Sequence, residues 1–203
     1  MAPLHGFKAA LFCALLAGSA SSMAQREADV LAPVVQCFGG GKFTAKEVNR
    51  LPEAVKARSV ETLTGPKSVS MVDGYRVILT TAQGKPFVNL KIEQSAAAQA
   101  ASDREAVVAQ MEAFSSKRTP DQQPLARSVH GDVEVLALHQ PSLDGRGPLS
   151  FYSMFVPAKS MIATLYVLNQ DGSDRAFSTL AQYEQLRDEA AGLVLRCLAG
   201  SGA

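Results

Sequence analysis

Apolar and polar residues alternate with a period of two through much of the middle of the chain, and recur at spacings of three and four near its end. In Phe87 to Gln94, Val88, Leu90 and Ile92 alternate with Asn89, Lys91 and Glu93. This pattern predicts a strand with one face in the core and one in water. Ser68 to Val72 and Tyr75 to Thr81 flank Asp73-Gly74, a dipeptide that favours a hairpin turn, and Gln83-Gly84-Lys85 supplies the next turn. Leu125 to His130 and Val133 to His139 pair around Gly131-Asp132. Leu149 to Val156 and Met161 to Leu168, joined by Pro157 to Ser160, are apolar on both alternating faces. Strands of that kind sit centrally, with layers above and below.

The helical period is clearest from Phe177 to Leu198, where Leu180, Tyr183, Leu186, Ala190, Leu193 and Cys197 form one stripe. Ser173 or Asp174 caps that helix in this reading. Asp103 reads as the N-cap of a second helix, whose apolar stripe is Val107, Met111 and Phe114 and which Thr119-Pro120-Asp121 ends. Ala32 to Phe38 reads as a short helix with Pro33 in its first turn. Thr44-Ala45-Lys46-Glu47 has the spacing of a capping box and predicts a short helix before Leu51-Pro52. Between Pro52 and Lys67 the pattern is ambiguous, with one or two helical turns from Glu53 to Arg58.

The order is thus helix, three strands, helix, four strands, helix. It predicts an α+β fold with an antiparallel or mixed sheet of about six to seven strands and helices packed on it. This order, from Ser68 to Leu198, resembles the α/β sandwich of PsbP-like and DcrB-like proteins. The resemblance implies binding and assembly roles more readily than catalysis; it carries no motif and transfers no site residue.

The first residues change the picture. Lys8 precedes an apolar run from Ala9 to Ala17, and Ser22 and Ala24 are spaced like the −3 and −1 positions of a cleavage site. This is the three-part pattern of a secretory signal peptide over residues 1–24, leaving 25–203 as one domain exported to the periplasm. The apolar run is shorter than the roughly 20 residues a spanning helix needs, so the chain is not expected to span a membrane. Cys13 lies inside the run, away from the position a lipoprotein would use. With Lys8 removed, the 20 basic residues fall by one and equal the 19 acidic ones. A neutral chain has no global field for nucleic acid or anionic lipid.

Two cysteines remain after cleavage, Cys37 and Cys197. In an oxidising compartment an even number points to a disulfide, here one joining the first and last helices. There is no Cys-x-x-Cys for redox work, and no His or Cys near either residue to complete a metal site. The bond would close a loop of most of the chain, worth roughly 5 kcal/mol in a chain-entropy estimate. In that setting Cys37-Phe38-Gly39-Gly40-Gly41-Lys42-Phe43 is a helix end that delivers a cysteine. A phosphate loop would need Gly at position 36, which is Gln, and Ser or Thr after Lys42, which is Phe.

Other chemistry is sparse. A two-residue turn at Gly131-Asp132 sets His130 opposite Val133 and His139 opposite Pro124, well over 20 Å apart at about 3.3 Å per residue. They cannot share a metal. Asp171 and Asp174 lack the later Glu of a calcium loop. No serine-hydrolase or zinc-protease motif occurs. No catalytic residue, metal or cofactor is therefore assigned. The polar loop Pro141 to Pro148, between two core strands, is of the kind that carries binding function, with Asp144 and Arg146 as candidate contacts. The expected function is a non-enzymatic binding or inhibitor module, either an immunity protein against a toxin or an envelope accessory factor, with a protein partner. The alternatives are a carrier of a small apolar ligand, and an enzyme whose site is assembled from distant residues.

Overall fold

The computed structural model describes residues 30–38, 42–52, 57–117, 123–140, 147–167 and 175–200. Its elements run α1 (Ala32–Cys37), β1 (Phe43–Arg50), β2 (Ala57–Thr62), β3 (Gly65–Thr81), β4 (Pro86–Ser95), α2 (Ala100–Ser116), β5 (Ala126–His130), β6 (Val133–Gln140), β7 (Leu149–Val156), β8 (Met161–Val167) and α3 (Leu180–Ala199), with a short 3-10 turn over Pro157–Lys159. The eight strands form one antiparallel sheet in the order β1-β3-β4-β8-β7-β6-β5, with β2 also paired to β3. The expected α+β class and antiparallel sheet hold, with one more strand before α2 than the pattern suggested.

Five local expectations are corrected. Asp73-Gly74 does not turn the chain; β3 runs straight through it. The register against β4 shifts between Met71 and Asp73 instead. Such a bulge inserts one residue and so exchanges the faces of everything beyond it. Val69 and Met71 therefore pack on the α2 side, whereas Val77 and Leu79, at the same odd positions, pack on the α3 side. Arg50 grips Asp73 with two hydrogen bonds, at 2.9 and 2.6 Å, and Asp73 Oδ1 accepts from the Gly74 N–H. Glycine is needed at 74 for close approach: a Cβ would lie 2.7 Å from Leu51 Cδ1 and 3.2 Å from the Ile92 carbonyl. The hairpin turn lies earlier, at Leu63-Thr64, between the paired residues Thr62 and Gly65.

Thr44 to Glu47 is strand β1, not helix, because it pairs with β3 from Phe43↔Thr81 to Arg50↔Tyr75. Asp103 does not cap α2. It is buried in the first turn, where its Oδ1 accepts the Ser70 N–H across to β3. Glu93 does not face water; it is fully buried. The ambiguous stretch after Pro52 resolves in part, since Ala57–Thr62 is strand β2 while 53–56 lie outside the described residues. Ser173 and Asp174 also lie outside them, and α3 is capped by Thr179, whose side chain accepts the Gln182 N–H.

The central strands behave as their composition demands. In β8, between β4 and β7, Ala163 and Leu165 point to one side and Ile162 to the other, and all three are buried. On one side, α3 and α1 cover a core containing Leu79, Phe87, Leu90, Ile92, Met154, Leu165, Tyr183 and Val194. On the other, α2 covers Val60, Val69, Met71, Leu136, Phe151, Phe155 and Ile162 with Val107 and Met111. Along α3, Tyr183, Ala190 and Cys197 of the predicted stripe are buried, while Leu180 at its start is exposed.

Candidate functional site

Cys37 and Cys197 are joined as expected, with their Cα atoms 5.6 Å apart. The bond ties the last turn of α1 to the last full turn of α3, and Cys197 is buried. Beside this corner Lys42 pairs with Glu189 at 2.5 Å, and the hydrogen bond from Lys42 holds the Glu189 carboxyl below its ordinary pKa. A hollow of about 380 Å³ lies here, lined by Lys42, Phe43, Asp188, Glu189 and Arg196.

Asp144 and Arg146 lie outside the described residues, so their placement is not described. The strand ends that carry their loop are described. His139 of β6 and Ser150 of β7 are cross-strand partners, with His139 Nδ1 3.1 Å from Ser150 Oγ. His139 also meets the Tyr152 ring edge to face at 5.3 Å. From α3, Tyr183 and Arg187 close over the pair. Burial, and then the positive charge of Arg187, push His139 down to about 4. Burial raises Tyr152, and pushes Tyr183 up to about 12 against the pull of neighbouring Ser150 and Arg187. The Tyr183 hydroxyl makes no well-formed hydrogen bond although Ser150 is beside it. Arg187 itself holds Asp188 at 2.7 Å.

An imidazole against a hydroxyl is the pairing of a general base with a nucleophile. Here Ser150 is only 1% exposed, beneath the α3 helix, so its Oγ has no approach for a substrate. The pair links two strands at the base of the loop. Its signal was present in the sequence: His139 continues the inward parity of Val133, Val135 and Ala137, and Ser150 that of Tyr152, Met154 and Val156. His130 sits apart from it, exposed on β5 and bonded to Ser128 at 3.0 Å. Among the described residues no three His, Cys, Asp or Glu side chains are grouped to hold a metal.

On the opposite face Arg58 of β2 reaches Glu93 of β4 with two bonds, 2.7 and 2.9 Å long, and Lys91 lies 3.2 Å from the same carboxylate. Burial lowers the Lys91 pKa despite Glu93. Nothing in the local pattern gave this cluster away, because Arg58 and Glu93 are 35 positions apart. Further along this face, α2 and the sheet leave a hollow of about 340 Å³ lined by Ala97, Ala100, Ala101, Phe155 and Ile162, with Arg104 and Glu134 paired at its rim. The Arg104 guanidinium lies over the Phe155 ring.

Compared with known protein families, with curated proteins and with solved structures, the chain matches none.

Proposed function

We propose that the protein is an exported periplasmic binding module that presents the Pro141 to Pro148 loop to a protein partner, as an immunity-type inhibitor or envelope accessory factor. The observation that supports this is the platform beneath the loop. Both strands that bear it are pinned by the His139–Ser150 bond and covered by α3, which is itself tied to α1 by the disulfide. A rigid base of this kind lowers the ordering cost of binding. Export rests on the signal-peptide pattern of residues 1–24, and the disulfide is the bond expected of an oxidising compartment. The described residues contain no helix long and apolar enough to cross a membrane.

The test is capture from an envelope extract followed by native mass spectrometry. A stoichiometric protein partner, lost with Asp144→Ala and Arg146→Ala, is the expected result. Full retention of the partner by that double variant would move the contact away from the loop. Protein recovered from the periplasm should begin at Gln25.

A second reading, a carrier of a small apolar ligand, is favoured by the hollow beside α2. Its alanines leave space next to Phe155, and its volume falls in the range of ligand pockets. A co-purified lipid in place of a protein, displaced by Ala101→Leu, would select it.

A further inference from the structure

We propose that two copies of this chain associate through β5, pairing edge to edge about a two-fold axis at Ser128. The inference is independent of the loop-binding role.

Strand β5 is the last in the sheet, and all five of its residues are exposed. Its turn fixes which backbone groups are free. Of the two turn residues only Gly131 has positive φ, 59°, as a two-residue hairpin with glycine first requires. The bond closing such a turn joins His130 and Val133, which are register partners. Hydrogen-bonded and non-bonded pairs alternate along an antiparallel ladder. Ala126, Ser128 and His130 therefore turn their N–H and C=O groups to β6. Those of Arg127 and Val129 point out of the sheet.

A second β5 satisfies these groups in one register, Arg127 opposite Val129 of the other copy and Ser128 opposite itself. All four outward groups of each copy are then paired, by four hydrogen bonds in total. The same register covers Val129, the most exposed large apolar residue described, at 69%. Arg127 of the second copy would lie against it. No unopposed cation is brought in, because each Arg127 already pairs with Glu112 of its own α2 at 2.6 Å. A hollow of about 210 Å³ lies beside the strand, with Val108, Leu136 and Phe155 in its wall and Arg104, Glu134 and the copy's own Arg127 around it.

The opposite edge argues for self-pairing over open-ended growth. Strand β1 is broken by a register shift between Ala45 and Glu47 and carries Lys46, Glu47 and Arg50, the features that blunt an edge. Pairing β5 with β1 would propagate a fibre, whereas β5 with β5 closes at two copies. Five residues a side is small beside a standard interface of about 1,600 Å², so the dimer is reversible and concentration-dependent.

The test is a cysteine at the axis. Opposed non-bonded residues have Cα atoms about 4.5 Å apart, within reach of a disulfide. Ser128→Cys should give a cross-linked dimer on air oxidation, with Cys37–Cys197 intact by peptide mapping. Arg127→Cys, which does not face itself, should stay monomeric. Adding Val129→Pro to Ser128→Cys removes an N–H that β6 does not use, and should cut cross-linking about tenfold by deleting two of four hydrogen bonds. Val129→Lys, which leaves the backbone untouched, should also weaken it by facing Arg127 of the other copy. A thiol that stays free in the Ser128→Cys variant, under conditions that oxidise a control dithiol, would overturn the proposal. So would cross-linking indifferent to both Val129 variants. Slowed amide exchange at Arg127 and Val129 that needs an envelope extract, with Ser128→Cys still monomeric, would show a foreign strand as the occupant and equally sink it.

Discussion

Beneath α3 the sheet presents Phe87 against Phe43, Phe177 and Tyr183, rings 6.0 to 6.4 Å apart, in a mainly apolar layer that the disulfide closes at one end. That layer carries neutral polar groups, the His139–Ser150 pair and the Tyr183 hydroxyl, but among the described residues no buried carboxylate in its centre. Beneath α2 the same sheet presents Glu93 and Asp103, both buried, with Arg58 and Lys91 on the first and a backbone N–H on the second. The Ser153 hydroxyl and one Asp103 oxygen are also buried on that side without a partner. The difference separates two ways of fixing a helix on a sheet. Apolar burial is non-directional, so it constrains the orientation of a helix less than a hydrogen bond does. A buried carboxylate is satisfied in only one arrangement, so the α2 side specifies position while the α3 side supplies most of the burial. That division of labour can be tested one face at a time.

The most severe break should come at Glu93. Glu93→Ala strands Arg58 and Lys91 in a largely buried setting and should lower unfolding free energy by about 3–5 kcal/mol in urea titration. Glu93→Leu with Arg58→Met should cost far less, since both partners of the pair are then apolar. Equal losses for the two variants would mean that the charges contribute little beyond volume.

Next is the staple on the other face. Cys37→Ser with Cys197→Ser should cost about 2–4 kcal/mol, less than the chain-entropy maximum because the denatured chain keeps some structure. The loss should leave α2 undisturbed, with amide protection at Ser70 unchanged relative to the global value. Selective loss of protection there would show that the two faces are not separable.

Smaller again is the bulge that lets one strand serve both cores. Gly74→Ala forces a Cβ against Leu51 and the Ile92 carbonyl, an overpacking worth about 1–3 kcal/mol by thermal or urea unfolding. Leu51→Ala in the same background should recover part of it.

The smallest effect is electrostatic. His139 has a folded pKa of about 4 against 6.5 for the free side chain. The unfolded chain thus takes up the proton first. The stability that neutral His139 supports is fully present above pH 6.5 and is lost as pH falls towards 4. Between pH 6.5 and about 5 the stability of His139→Gln should fall less steeply than that of the parent. Parallel profiles would show that His139 is not held neutral.

What could be read in advance follows from the range of the interactions involved. Gly131-Asp132 between alternating residues gave the β5–β6 hairpin in its correct register, because turn and pattern agree locally. Asp73-Gly74 carries the same local signal and misled, because Arg50, the last residue of β1, and Leu51 just after it pack against the pair where β3 bulges. Thr44 to Glu47 became strand for a similar reason: β3 offers an edge that outweighs a capping pattern. The Cys37–Cys197 bond was legible from the even cysteine count left by the signal-like pattern of the first residues. The Arg58–Glu93 pair and the cover that Tyr183 and Arg187 place over His139 depend on register and helix placement, and neither is encoded in any short window.

The disulfide also decides how the molecule meets force. A pull applied to residues before Cys37 and after Cys197 runs through one covalent bond and never loads the sheet between them. Extension should stop once the segments outside the two cysteines are straight. Reduction would release the 160 positions between the cysteines, roughly 550 Å of contour at about 3.4 Å per residue.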